Sequence, residues 1–157
     1  MSPELRHLYF PTIFGMPRFD LRITASLGFT SNYYEEELGI LLAVNVLNVG
    51  TVPSYLDSNS IKFDFLIDGK REIFSLVYIN DPVMQQMNPK TGIGLEPGRK
   101  QTYWFQLAHF AQFREKGRNI FPVEIQVHDE IGNMYREPIT ENIREALLEN
   151  IYGKKKS

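Results

Sequence analysis

Histidines are the first side chains to examine for metal or acid–base chemistry, and the chain has three, His7, His109 and His128. No two of them are spaced to share one face of a helix, and no His-Glu-x-x-His segment occurs. His128 precedes Asp129, but adjacent residues of a strand point to opposite faces of a sheet. Because a specific metal site needs several converging ligands, we interpret this pair as a solvated strand end and expect no metal.

Nucleophilic catalysis also lacks its usual signatures. The chain contains no cysteine, which excludes thiolate nucleophiles and disulfides. No serine stands in a Gly-x-Ser-x-Gly elbow, and Gly92-Ile-Gly94 lacks the third glycine and the following helix of a phosphate-binding loop. We interpret Glu124, Asp129 and Glu130 as surface residues. The sequence therefore predicts no catalytic residues, no cofactor and no enzymatic activity.

Aromatic side chains are the better lead to a binding surface. Trp104 alternates out of phase with Tyr103 and Phe105, so bulky rings occupy both faces of one predicted strand. Coverage by another part of the chain is the simpler interpretation, and contact with a protein or carbohydrate partner is the alternative. The candidate contact residues are Tyr103 and Trp104, together with Phe10 and Phe14 near the N-terminus.

The elements that would position these residues divide the chain into three parts. Residues 1–18 are predicted to form an extended arm, because prolines interrupt an apolar, uncharged run. We expect this arm to dock on its own domain, with another subunit or a membrane surface as alternatives. Residues 140–157 are predicted to form a helix with a basic tail, capped by Thr140 through a backbone hydrogen bond and apolar on one face. That apolar face carries Ile143, Leu147 and Ile151.

Residues 19–139 are predicted to form an antiparallel β-sandwich, with a closed barrel as second choice. Apolar and polar side chains alternate along Phe19–Ala25, Ile61–Ile67 and Phe121–Val127, which is typical of half-buried strands. Asp68-Gly69 predicts a tight hairpin, because glycine tolerates positive backbone angles. Helices between consecutive strands are missing, which argues against a parallel α/β sheet.

One predicted strand, which ends in Asn48 and Gly50, is apolar on both faces. Leu42, Val44 and Val46 lie on one side, and the other side is largely apolar as well. A strand covered on one side only would alternate with charged residues. We therefore expect a second cover on this strand, supplied by the arm or by the C-terminal helix.

Composition and charge bound the classes of partner. The net charge of −2 gives no general attraction to nucleic acid, so no nucleic-acid partner is expected. No apolar run approaches the length of a membrane helix, and the N-terminus lacks the apolar segment of a signal peptide. Apart from the alternative left open for the arm, we expect no membrane contact from this chain and, by default, a cytoplasmic location.

Three segments, in this order along the chain, carry a resemblance to a known class of module: Leu42-x-Val44-x-Val46-x-Asn48-x-Gly50, Leu95-x-Pro97-Gly98 and Val127-x-Asp129-x-x-Gly132-Asn133-x-Tyr135. Over residues 38–137 the succession resembles the immunoglobulin-like β-sandwich modules of uncharacterised prokaryotic proteins. The resemblance implies an all-β fold and a non-enzymatic adhesion, scaffold or assembly role, often behind a membrane anchor.

These observations lead to three functional hypotheses. The first is a binding or assembly module that engages a protein partner, or a second copy of itself, through its arm, its long loops or a sheet face. The alternative is a carbohydrate-binding module that uses aromatics such as Trp104 and Tyr103. The third is an enzyme whose site forms only in three dimensions.

Overall fold

A computed structural model describes residues 16–29, 39–57, 59–75, 82–90 and 92–153. These residues form mostly antiparallel β-sheet, followed by a short C-terminal helix. None of the described helices is long and apolar enough to cross a membrane. The strands are β1 Leu21–Phe29, β2 Ile40–Asn48, β3 Ser54–Tyr55, β4 Ile61–Ile67, β5 Lys70–Ser75, β6 Gly94–Leu95, β7 Lys100–Gln106, β8 Ile120–His128 and β9 Met134–Pro138. The helices are α1 Pro82–Met87, a 3₁₀ helix Leu107–Lys116 and α2 Glu141–Tyr152.

The described strands form three antiparallel sheets. One has the order β1-β2-β7, a second has the order β5-β4-β8-β9, and β3 pairs with β6. The predicted hairpin between β4 and β5 is confirmed, since Asp68 and Gly69 have φ angles of 50° and 85°. Two successive positive angles match the right-handed twist of the flanking strands, so β4 and β5 pair directly from the turn, beginning with Ile67 and Lys70.

The two larger sheets contribute to one hydrophobic core. The ring of Phe63 on β4 meets that of Phe105 on β7 edge to face, with centroids 5.1 Å apart. Phe63 also meets Phe110 of the 3₁₀ helix at 5.1 Å, again edge to face. All three rings are almost completely buried. A residue from each larger sheet and one from the 3₁₀ helix therefore share the centre of the core.

The alternation along β8 predicts that Phe121, Ile125 and Val127 share the inward face. This prediction is correct only for the second half of the strand. Ile125 and Val127 are buried, but Phe121 is 45% exposed and Ile120 is buried in its place. The cause is a shift in the register with β4, where Asp64 pairs with Glu124 but Phe65 pairs with Pro122. One residue of β8 is thus left over, and such a bulge exchanges the two faces of the strand on either side of it.

The C-terminal helix confirms its predicted apolar face, because Ile143, Leu147 and Ile151 are all buried. The predicted cap is wrong, since the Thr140 hydroxyl makes no capping bond and instead hydrogen-bonds to Asn142 Oδ1 at 2.7 Å. Of the two candidate covers for β2, the alternative of the C-terminal helix is also wrong. The helix packs against the 3₁₀ helix and β8, because its apolar stripe completes the main core.

Asn48, at the end of β2, is the polar centre around which the neighbouring loops are built. It is completely buried, and its Nδ2 donates to Val52 O at 2.8 Å and to Leu95 O at 2.7 Å. Its Oδ1 accepts from Gly50 N at 2.8 Å. A single amide therefore satisfies buried backbone groups from the strand end, the following loop and β6.

Gly50 explains why the chain can close around this amide. Thr51 N donates to Arg18 O at 2.9 Å, and Val49 N donates to Asp20 O at 3.0 Å. A β-carbon at Gly50 would clash with the backbone oxygen of Arg18. The described end of the predicted arm therefore pairs closely with the segment after β2, which only glycine permits.

Replacing Asn48 with alanine should destabilise the protein strongly. The substitution leaves three backbone groups without their partner, and we expect the free energy of unfolding to fall by about 3 kcal/mol. Urea denaturation measures this change. The control is Asn59→Ala at an exposed position, which should stay within about 0.5 kcal/mol of the wild type. Equal effects of the two substitutions would contradict the role assigned to Asn48.

Candidate functional site

The two predicted aromatic contact residues of β7 lie in different environments. Tyr103 is 2% exposed, and its hydroxyl donates to Gln101 Oε1 at 3.0 Å. Its ring belongs to the core and is not presented to a partner, because β7 turns this face towards the second large sheet. Phe10 and Phe14 lie outside the described residues.

Trp104 lies on the opposite face of β7 and is half-buried. Its backbone N–H donates to Asn88 Oδ1 at 2.7 Å, and its carbonyl accepts from Asn88 Nδ2 at 3.2 Å. A β-carbon at Gly28 would lie 3.2 Å from the indole ring. The indole thus packs against the backbone of β1, and contact of Trp104 with a partner stays a prediction.

A second arrangement, which sequence reasoning missed, lies on the outer face of the four-stranded sheet. Strand register places Asp64 directly opposite Glu124, and Lys62 opposite Gln126. The same face carries side chains from both edge strands, because residues two apart share a side. We call this surface the charged face; it comprises Lys62, Asp64, Arg71, Ile73, Glu124, Gln126, His128, Met134 and Arg136.

Two carboxylates that oppose each other on neighbouring strands would repel. Asp64 and Glu124 are 2% and 8% exposed, so water does little to relieve that repulsion. Arg71 resolves the conflict, because its Nη2 hydrogen-bonds to Asp64 Oδ2 and, at 2.7 Å, to Glu124 Oε1. The bond to Asp64, above all, raises the pKa of Arg71. The prediction that Glu124 is an ordinary surface residue is therefore wrong.

Gln126 connects this ion pair to His128. Its Nε2 donates to Glu124 Oε1 at 3.2 Å, which leaves its Oε1 as an acceptor. That oxygen lies 2.8 Å from His128 Nε2, so the imidazole donates from this nitrogen. Burial, followed by the positive charges of Lys62 and Arg136, lowers the pKa of His128, and Asp129 opposes the shift.

Asp129 has a structural role that corrects its interpretation as a surface residue. It is 8% exposed, and its Oδ1 accepts from the backbone N–H groups of Ile131 at 3.1 Å and Asn133 at 2.8 Å. The carboxylate thereby fixes the turn between β8 and β9. Glu130, by contrast, is exposed, as predicted.

Cations dominate the accessible part of the charged face. The side chains of Arg71 and Arg136 are 52% and 57% exposed, whereas that of Glu124 between them is 11% exposed. Ile73 and Met134, on the two edge strands, are 52% and 41% exposed. Within the described parts of the chain, no three histidine or acidic side chains are grouped to hold a metal ion. The arrangement can therefore offer two accessible guanidinium groups, of which that of Arg71 is fixed by hydrogen bonds, between two apolar contacts.

Removing the Arg71 guanidinium should lower the melting temperature. In Arg71→Met the opposed carboxylates of Asp64 and Glu124 lose their shared cation, and adding Glu124→Gln should restore part of the loss because the repulsion disappears. Thermal unfolding followed by circular dichroism measures both effects. Lys70→Met, exposed on the same strand, is the control and should change little. Indistinguishable melting temperatures for the two single variants would refute the bridging role.

The lowered pKa of His128 predicts a pH dependence of stability. Because the folded value lies below the ordinary 6.5, the unfolded chain takes up the proton first as the pH falls. The free energy of unfolding should therefore decrease below about pH 6.5, and this component should be absent from His128→Gln. Urea denaturation from pH 7.5 down to pH 5 tests the difference, with exposed His109→Gln as the control. A wild type and a His128→Gln variant with parallel pH profiles would overturn the prediction.

Comparison with known proteins does not place the chain in a family. No protein-family model matches the chain, and no curated protein matches it. Among solved structures, the chain is similar to the ApaA protein of Bordetella pertussis, with 13% sequence identity and a TM-score of 0.33. That alignment covers 78% of this chain and 89% of the other. At this level of likeness, the proposal for function depends on the chain's own residues.

Proposed function

We propose that this chain is a non-enzymatic binding module, an immunoglobulin-like β-sandwich that engages an acidic protein surface through the charged face. The sandwich is supported by two antiparallel sheets whose inner side chains share one core, as in the contact of Phe63 with Phe105. In such an arrangement the outer face of the four-stranded sheet, which carries the charged face, is available for contact with other molecules.

One observation carries the proposal: two half-exposed guanidinium groups lie on either side of the same buried carboxylate. Arg71 lies 2.7 Å and Arg136 3.8 Å from Glu124 Oε1. Arginine is enriched among the residues that dominate binding energy, and its planar group binds carboxylates bidentately. Guanidinium groups that are already positioned lose less conformational entropy when a partner binds.

The surroundings of the two arginines specify the chemistry of the partner. Lys62 adds a third cation, while Asp64 and Glu124 lie beneath the surface, so the exposed charge is positive. Ile73 and Met134 provide apolar contacts at the two edges of the sheet. A protein surface with carboxylates between apolar side chains complements this pattern.

The carbohydrate alternative has less support. It depended on aromatic rings that a sugar can stack on, and Tyr103 is buried while Trp104 is half-covered by its own chain. The charged face, in contrast, presents no exposed aromatic ring among its members. At the charged face, protein contact is therefore favoured over sugar binding.

Charge reversal on the charged face should abolish partner binding. The immobilised full chain is used to capture proteins from an extract of its native cells, followed by quantitative mass spectrometry. At least one protein should be retained equally by the wild type and by Lys100→Glu, an exposed site on the other large sheet, and at least tenfold less by Arg136→Glu. Circular dichroism confirms that each variant is folded. Retention that is insensitive to Arg136→Glu, or specific binding to a glycan array instead, would refute the proposal.

A further inference from the structure

A groove at the end of the same sheet, next to the charged face, has the features of a second binding site. It lies between the tip of the β4–β5 hairpin, the start of β8 and helix α2, and consists of two adjoining cavities of about 440 and 360 Å³. Leu148 and Tyr152 line both cavities. We call this the aromatic groove. Cavities of this size accommodate small ligands or a few side chains.

Two exposed aromatic rings at the groove are held rigidly. The Tyr152 hydroxyl donates to Arg118 O and accepts from Ile120 N, both at 2.8 Å. The guanidinium of Arg144 lies 4.2 Å from the centroid of the Phe121 ring. Arg144 itself donates to two backbone oxygens at 2.9 Å, which fixes its position over the ring. Both aromatic rings are thus oriented before any ligand binds.

Core packing does not account for this exposure. Phe121 and Tyr152 are 45% and 46% exposed, and the bulge in β8 turns Phe121 outward while Ile120 fills the core. Rigid aromatic side chains that remain accessible are typical anchors for a ligand, because little entropy is lost when they are covered.

The charged side chains that line the two cavities have opposite signs, and the Asp68 carboxylate beside the larger cavity is occupied by the backbone N–H groups of Arg118 and Asn119. Arg118 and Asn119 line the larger one, and neither side chain has a hydrogen bond or ion pair in the described part of the chain. Glu145 and Glu149, one helical turn apart, line the smaller one, and both are exposed. A ligand that spans the groove therefore meets a cation at one end, apolar rings in the middle and two carboxylates at the other end.

We propose that the aromatic groove binds the C-terminus of a peptide. The terminal carboxylate pairs with Arg118, because a guanidinium group forms two parallel bonds with a carboxylate. An apolar last side chain lies against Phe121, Leu148 and Tyr152, in the same cavity as Arg118. A basic residue further upstream pairs with Glu145 and Glu149. A peptide that ends in an apolar residue presents a carboxylate directly beside an apolar side chain. This match is why we propose the C-terminus of a peptide as the ligand.

The proposal is tested by titrating the ¹⁵N-labelled full chain with defined peptides. Acetyl-Lys-Lys-Gly-Phe with a free carboxylate should shift the amide signals of Arg118, Asn119, Phe121 and Tyr152 in a saturable manner. The same peptide with a C-terminal amide, and acetyl-Glu-Glu-Gly-Phe with a free carboxylate, should each bind at least tenfold more weakly. Absence of shifts at millimolar peptide, or equal binding of acid and amide, would overturn the proposal.

Matched variants separate this site from the charged face. Arg118→Gln should weaken binding of the free-acid peptide at least tenfold, whereas Arg99→Gln, at an exposed site distant in sequence, should leave it unchanged. Arg136→Glu should also leave it unchanged, so failure of the groove and failure of the charged face are distinguishable. Equal binding by the wild type and Arg118→Gln would assign the peptide to another surface.

Discussion

Edge-to-face packing of Phe63 against Phe105 and Phe110 is the contact on which the rest of the structure depends. It joins β4 of the four-stranded sheet to β7 of the three-stranded sheet and to the 3₁₀ helix, with both centroid distances at 5.1 Å. Because neighbouring side chains of a strand point to opposite faces, burial of Phe63 and Phe65 turns Asp64 outward. The core therefore sets the position of the carboxylate around which the charged face is arranged.

The bulge between β4 and β8 determines the two proposed binding surfaces. On one side of the irregularity Glu124 lies opposite Asp64, which creates the need for Arg71. On the other side Phe121 turns outward, towards Arg144 and the aromatic groove. A bulge thus gives one strand a role in two surfaces of different chemistry, and bulges often re-aim side chains near functional sites in this way.

Local patterns in the sequence predicted the parts of the fold that local physics determines. The alternation in β4, the Asp68-Gly69 hairpin and the apolar stripe of α2 follow from periodicity and glycine geometry. The outward position of Phe121 and the burial of Glu124 did not follow, because both depend on the register with a strand more than fifty residues earlier in the chain. From the sequence, the charged face could be suspected only because oppositely charged residues occupy outward strand positions. Most solvated sheet faces share that pattern, so it does not identify a binding surface.

The most direct test of this account is a double-mutant cycle between Phe63 and Phe105. The free energies of unfolding of Phe63→Leu, Phe105→Leu and the double variant are compared with that of the wild type by urea denaturation. If the two sheets meet through these rings, the coupling energy should be about 0.5–1.5 kcal/mol. Additivity of the two substitutions to within about 0.3 kcal/mol would mean that the rings do not interact, and would contradict the shared core.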